Sequence, residues 1–250
     1  MKPLVSIVTV TFNAELTLEK TILSVINQNF ISFEYIIIDG GSHDNTINII
    51  DKYKNKISYW ESSPDKGIYD AMNKAINFVN GKWVCFMNAG DVFFNHNVLS
   101  EIFNLKNINH YWIIYGNHSF IKENDIIFKI PKDIKSIWKS MPMCHQSLFA
   151  KTILLKSYPF NIKYKFAADY DFIYYAYKNY SNSFLYINKV ISTITTGGYS
   201  ESNSVKTYKE YKLISNFYNK NFYNKIYFYL KLLERMLVLN IKNFIKNFKS

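Results

Sequence analysis

Four short runs of β-branched and aromatic residues, each followed by a segment of helical period, constrain this chain more than any other feature. Leu4–Val10 (LVSIVTV) and Tyr35–Asp39 (YIIID) read as strands buried on both faces, Ile57–Trp60 as a third strand and Trp83–Met87 (WVCFM) as a fourth. Between them, Glu15–Asn27 carries Leu18, Ile22, Val25 and Ile26 at helical spacing. Ser42 to Asn45 offers a helix start ahead of Ile47, Ile49 and Ile50, and Ile68–Val79 forms a third helix. This β-α-β-α order predicts an α/β fold with a mostly parallel sheet and helices on both faces. Beyond about residue 105 the pattern turns more antiparallel. Tyr111–Tyr115 and Ile126–Ile130 are strands with a turn at Asn124–Asp125; Asp169–Asn179 is a helix and Phe184–Thr195 a strand. Two basic helical stretches close the chain.

Ligands of open α/β sheets bind beyond the carboxyl ends of the parallel strands. Those ends carry Thr11–Phe12–Asn13, Asp39–Gly40–Gly41–Ser42 and Asn88–Ala89–Gly90–Asp91. Glycines there let backbone amides approach a ligand closely. Asp39 either accepts from a base or ribose or simply closes a turn. A further loop carries Asp65–Lys66–Gly67, and its helix presents Asp70 and Asn73 on one face. A first-turn acid such as Asp70 also complements the helix dipole.

Four ordered segments, VSIVTVTFNAELTLEKTILSVINQ, EYIIIDGGSHDNT, SSPDKGIYDAMNKAI and GKWVCFMNAGDVFF, resemble the nucleotide-sugar half of family 2 glycosyltransferases. The likeness spans about residues 3–200 and is strongest to bacterial surface-polysaccharide enzymes of colanic-acid type. It implies a GT-A fold, Rossmann-like in its nucleotide-binding half, to which the C-terminal amphipathic helices read from the sequence are added. It also implies inverting transfer of a hexose or N-acetylhexosamine from a nucleotide-diphosphate donor such as a UDP-sugar. The implied acceptor is a hydroxyl of a growing, lipid-linked surface glycan, as in O-antigen, capsule or lipooligosaccharide assembly. By the same resemblance Thr11, Asn13 and Asp39 line the nucleoside pocket, and Asp65 and Asp70 face the nucleotide and donor sugar. Asn88, Ala89, Gly90 and Asp91 match the acidic metal motif, but Asn88 and Gly90 stand where acids are usual. Asp91 alone keeps a carboxylate for Mn2+ or Mg2+, which one acid plus diphosphate oxygens and water can hold. Asp169 aligns with the base that deprotonates the acceptor hydroxyl, with Asp171 as its rival. An N-cap role for Asp169 is compatible with that. His145 and Gln146 are assigned to acceptor or donor binding, and Ser200 to a loop over the diphosphate. The missing acids leave a second reading open, a non-catalytic nucleotide-sugar or glycan-binding module.

Charge adds location more than chemistry. The chain carries a formal net charge of +11, yet Arg235 is its only arginine. Residues 205–250 hold ten Lys or Arg against Glu210 and Glu234, so most of the surplus lies there. Without the bidentate fork of arginine, and with acids at the strand ends, a nucleic-acid partner is not expected. The expected organisation is a catalytic domain over 1–204 and a basic helical extension over 205–250. Leu230, Leu233, Leu237, Ile241, Phe244 and Phe248 recur every three or four residues, with Lys231, Arg235, Lys242, Lys246 and Lys249 largely off that stripe. Such a helix packs on the domain, forms a homodimer seam, or lies on an anionic membrane through residues 225–250. Leu4–Val10 is too short for a signal core, and the C-terminal apolar stretch, cut by Lys231, Glu234 and Arg235, is too short for a span. A cytoplasmic protein at the inner face of the membrane is expected. Cys85 and Cys144 show no ligand spacing and read as reduced thiols.

Overall fold

The computed structural model describes residues 2–123, 125–196 and 202–248, without the side chains of 239 and 241–248. Chain order runs β1 (Val5–Thr11), α1 (Leu18–Ile26), β2 (Phe33–Asp39), α2 (Thr46–Lys52), β3 (Tyr59–Ser62), α3 (Ile68–Ile76) and β4 (Trp83–Phe86). Then follow β5 (Val92–Phe93), α4 (Val98–Phe103), β6 (Ile113–Lys122), β7 (Asp125–Lys129), β8 (Leu148–Lys151), α5 (Thr152–Ser157), α6 (Ala168–Tyr180) and β9 (Phe184–Ile194). Two helices, α7 (Ser204–Tyr218) and α8 (Phe222–Phe248), end the described chain.

These strands make one sheet in the order β3-β2-β1-β4-β8-β6-β9-β5, with β7 paired to β6. The first four strands are mutually parallel, and the antiparallel β8 joins them to the mixed second half. All seven residues of β1 are buried because helices cover both faces. Alternation divides its side chains. Val8 and Val10 join Ile36 and Ile38 beneath α3 and α6, whereas Ile7 joins Tyr35 and Ile37 beneath α1 and α2. At the amino ends of the strands, buried Glu34 accepts from Ser6 Oγ (2.5 Å), Asn80 N (2.5 Å) and Gly81 N (3.1 Å). Gly81 is required there, since a Cβ would meet Ser6 N at 2.6 Å.

Short elements escaped the sequence pattern. β5 has two residues, and β8 and α5 together have ten, too few to show a period. The expected strand at Tyr111–Tyr115 extends as β6 to Lys122; of the expected turn, Asn124 lies outside the described residues.

The two C-terminal helices behave differently. α7 is built into the body: Ile214 is buried, Tyr211 packs on Tyr170 with centroids 4.5 Å apart, and Glu210 accepts from the backbone amides of Lys165 and Phe166. α8 docks through its polar side. Asn224 and Phe228 are buried, and Arg235 sits 4.8 Å over the Tyr208 ring. Its apolar arc, with Phe222, Ile226, Leu230, Leu233 and Leu237, faces outward.

Candidate active site

Parallel pairing brings Thr11 level with Asp39, and Val8 level with Phe86, so the ends of β1, β2 and β4 open on one rim. Strand order reverses between β1 and β4, and the crevice of such a sheet lies at that reversal. Among the described residues, five buried side-chain polar atoms lack a protein partner. Two of them, Thr11 Oγ1 and Asn88 Oδ1, stand at the ends of these two strands. Buried polar atoms are nearly always satisfied, so this pair marks where a ligand would supply the bonds.

The acids at the end of β2 and before α3 serve the loops themselves. Asp39 is fully buried and accepts from Gly41 N (3.0 Å), Ser42 N (2.8 Å), Ser42 Oγ (2.5 Å) and Ser62 Oγ (2.6 Å). The carboxylate of Asp39 is thus the hub of its own turn. Asn13, at φ 47°, accepts from His43 N through Oδ1 (2.9 Å), which zips the β1 loop to the β2 loop. Asp65 Oδ1 accepts from Gly67 N (2.7 Å), and Asp70 Oδ2 from Lys66 N (2.9 Å). Together they close the entry to α3, the cap-like arrangement expected of a first-turn acid. Gly40 lets Asp65 come close, since a Cβ would lie 2.5 Å from Asp65 Oδ2. Asn73 is bound both ways to the backbone of Phe160 and takes no part in the site.

The end of β4 is built differently. Gly90, at φ 101°, turns the chain, and its amide donates to Thr21 Oγ1 (2.9 Å). Buried Asp91 accepts from Gln146 Nε2 (2.7 Å) on one oxygen and from Thr195 N (2.8 Å) on the other. Burial pushes its carboxyl above the ordinary range, and those two donors pull it back only in part. Asn88 Nδ2 lies 3.0 Å from His145 Nε2. With Nε2 accepting, the ring proton sits on Nδ1, which faces Asp169 Oδ2 at 3.1 Å.

Asp169 lies in the first turn of α6, where the helix dipole favours an anion. The N-cap itself is Ala167, so the expected cap role is not the one Asp169 plays. Its other oxygen, Oδ1, accepts from Tyr69 Oη (2.9 Å) and Tyr170 N (2.9 Å). Burial alone would raise this carboxyl, but the donors outweigh it, with His145 foremost, and the acid is held below its ordinary range. Its side chain keeps 16% exposure. Behind it lies an apolar cavity of about 20 Å³ walled by Met72, Phe86, Phe160 and Phe172. Asp171 faces away and is bound by the hydroxyls of Tyr158 (3.2 Å) and Tyr218 (3.3 Å), so it does not join the crevice. Ser200, with Gly197–Tyr199, lies outside the described residues.

The structure therefore brings Thr11, Asn88, Ala89, Gly90, Asp91, His145, Gln146 and Asp169 together through the crevice wall. Asn13, Asp39, Asp65 and Asp70 shape the neighbouring loops. Tyr69, Thr21 and Thr195 were not expected. Tyr69 sits inside the Asp65–Asp70 segment, but a tyrosine there reads as core until its hydroxyl is seen to reach Asp169, 100 residues on.

Residues 6–169 match the model of Glycosyl transferase family 2. The chain belongs to that family. It is 25% identical over 209 residues to a PGL/p-HBAD biosynthesis glycosyltransferase of Mycobacterium bovis, covering 78% of each chain. An uncharacterized glycosyltransferase of Haemophilus influenzae is 29% identical over 216 residues, covering 81% of this chain and 83% of its own. In fold it is similar to residues 1–349 of S. aureus TarS, with a TM-score of 0.68 at 23% identity. That match covers 86% of this chain and 64% of TarS 1–349, a structure also solved with UDP and with UDP-GlcNAc. Glucosyl-3-phosphoglycerate synthase of Mycobacterium tuberculosis, solved with Mn2+, UDP and phosphoglyceric acid, gives a TM-score of 0.63 at 13% identity, covering 87% of this chain and 78% of its own. The family 2 chain thus has the α/β sheet expected from its strand order and the GT-A architecture that its resemblance implied.

Proposed function

We propose that this family 2 glycosyltransferase moves a sugar from a nucleotide-diphosphate donor to an acceptor hydroxyl with inversion, using Asp169 as the base. The carrying observation is that Asp169 is held by donors on both oxygens and joined to the β4 end through His145, donors that keep its carboxyl below the ordinary range. In the step, the acceptor O–H gives its proton to Asp169 while the acceptor oxygen bonds to the anomeric carbon. The bond from that carbon to the diphosphate oxygen breaks, and its electron pair leaves on the diphosphate. A UDP-sugar is the donor we favour, because TarS and the phosphoglycerate synthase were both solved with UDP.

A divalent cation fits the residues present. Asp91 is a carboxylate and Asn88 Oδ1 is a buried oxygen with no protein partner, an all-oxygen set suited to Mn2+ or Mg2+. Among the described residues no three acids, histidines or cysteines cluster, so diphosphate and water complete the shell in this proposal. When bound, the ion would neutralise charge on the departing diphosphate.

Asp169→Asn is expected to lower turnover by about 10²–10⁴-fold, the usual contribution of a positioned base. Calorimetry should show UDP binding changed little; full turnover in the variant would remove the assignment. The alternative, a non-catalytic binding module, draws on the two absent acids and on the engagement of both Asp91 oxygens. Release of UDP from a UDP-sugar, tested with Mn2+, separates the two.

We further propose that the acceptor is a lipid-linked surface glycan and that α8 holds the enzyme on an anionic membrane face. Support comes from the outward apolar arc of α8 and from the basic surplus of residues 205–250. No described helix is long and apolar enough to cross a membrane. Sedimentation with vesicles of anionic lipid at low salt tests this; no binding there ends it. Because α7 packs as part of the body, the appended segment in this proposal begins after Tyr218.

A further inference from the structure

His145 and Gln146 are neighbours in sequence, yet they hold opposite ends of the site. Gln146 Nε2 donates to Asp91 at the end of β4 (2.7 Å), and His145 Nδ1 faces Asp169 on α6 (3.1 Å). One peptide joins them, so a shift of the backbone at either residue moves both contacts. The pair is itself anchored. Cys144 Sγ–H donates to Gln146 Oε1 (2.9 Å), which leaves the amide nitrogen to meet Asp91. On the other side Ser147 Oγ is 2.6 Å from Ser192 Oγ, fixing the turn to β9. A second link starts from the same β4 loop, where Asn88 Nδ2 meets His145 Nε2 (3.0 Å). Tyr69 makes a useful contrast: it also donates to Asp169, but it comes from α3 and reaches it without the β4 loop.

We infer that His145–Gln146 is a strap that sets the direction of the Asp169 carboxylate according to the state of the β4 loop. The inference rests on the proposed roles of Asp169 and Asp91. A donor bound against the β4 loop at Asn88 fixes that loop, and the strap carries the fixed geometry to the base. His145 and Gln146 are positioning residues in this scheme. Without the strap Asp169 keeps the donors from Tyr69 and Tyr170 but loses its register to the anomeric carbon.

The test is a cycle of variants of the full chain, read as kcat and KM for UDP release from UDP-GlcNAc or UDP-glucose with Mn2+. His145→Ala should lower kcat about a hundredfold, and His145→Asn should recover about tenfold of that, because its amide N–H stands near the position of Nδ1. Gln146→Met, which keeps the length and loses the donor, should cost about tenfold in kcat in the native background. In the His145→Ala background it should cost less than about twofold, since the route to Asp169 is already cut. A role confined to Asp91 predicts the opposite, the same loss in both backgrounds and a raised KM, and that result overturns the strap. Melting temperatures of all variants are measured alongside; activity losses that track them, with no rescue by His145→Asn, overturn it equally. Asp169→Asn is the separate control. If it turns over like the wild-type enzyme, the base assignment falls and the strap with it. If it is inactive while the Gln146 losses simply multiply, only the strap falls.

Discussion

Asp169 and Asp171 lie two residues apart in the first turn of one helix, and their surroundings give them opposite character. Two positions turn a side chain by more than half a circle. Asp169 looks into the crevice and meets His145, Tyr69 and a backbone amide, which together outweigh its burial. Asp171 looks into the aromatic packing of α5, α6 and α7, where burial dominates and two phenols compensate only in part. One acid is held below its ordinary range and the other above it. Proton-transfer chemistry needs the first kind of site when the base must be charged and in reach. The lesson is that the donors around each carboxylate, more than its depth of burial, set the direction in which its affinity for a proton moves.

The comparison breaks most clearly in turnover. Asp169→Asn should lose at least about a hundredfold in kcat whereas Asp171→Asn stays within about threefold of the native enzyme. Equal losses in the two variants would erase the distinction. Tyr69→Phe comes next in size. It removes the hydroxyl that donates to Asp169 Oδ1 and leaves the ring in its packing against Phe160. A drop of about tenfold in kcat is expected, with UDP affinity unchanged by calorimetry. A change confined to KM would place Tyr69 in donor binding.

How much of this was legible beforehand follows from what each feature depends on. The parallel half was readable because β1 and β2 are buried along nearly their whole length and are correspondingly rich in Val and Ile. The rim was readable too, since small and acidic residues end three strands in turn. Roles within the rim were not. Asp39, Asp65 and Asp70 look alike on paper to Asp91 and Asp169. Only the donors around them reveal that the first three close turns while Asp169 is aimed at the crevice. Tyr69 was hidden for the same reason, as its bond spans 100 residues. Helical period puts Leu230, Leu233 and Leu237 on one face of α8, the side chains of 241–248 lying outside the described residues, but period alone cannot say which side docks. Buried Asn224 and the contact of Arg235 with Tyr208 turned the apolar arc outward.

The smallest expected effect concerns stability, and its sign follows from the same contrast. Asp171 has its folded-state carboxyl raised above the ordinary 3.8, so the folded protein binds that proton more tightly than the unfolded chain does. Its ionisation therefore works against folding. The penalty is absent well below pH 3.8, grows as pH rises from there through the raised value, and is constant above it. Asp169 runs the other way: its contribution is complete above 3.8 and is lost as pH falls through the depressed value. Asp171→Asn removes a charge yet keeps an oxygen to accept from Tyr158 or Tyr218. The melting temperature of this variant, relative to the native chain, should therefore be higher at pH 7 than at pH 4. For Asp169→Asn the relative melting temperature should instead fall as pH rises out of the acid range. Thermal unfolding of the three proteins across that range decides it, and parallel curves for the two variants would mean that the two acids share one environment after all.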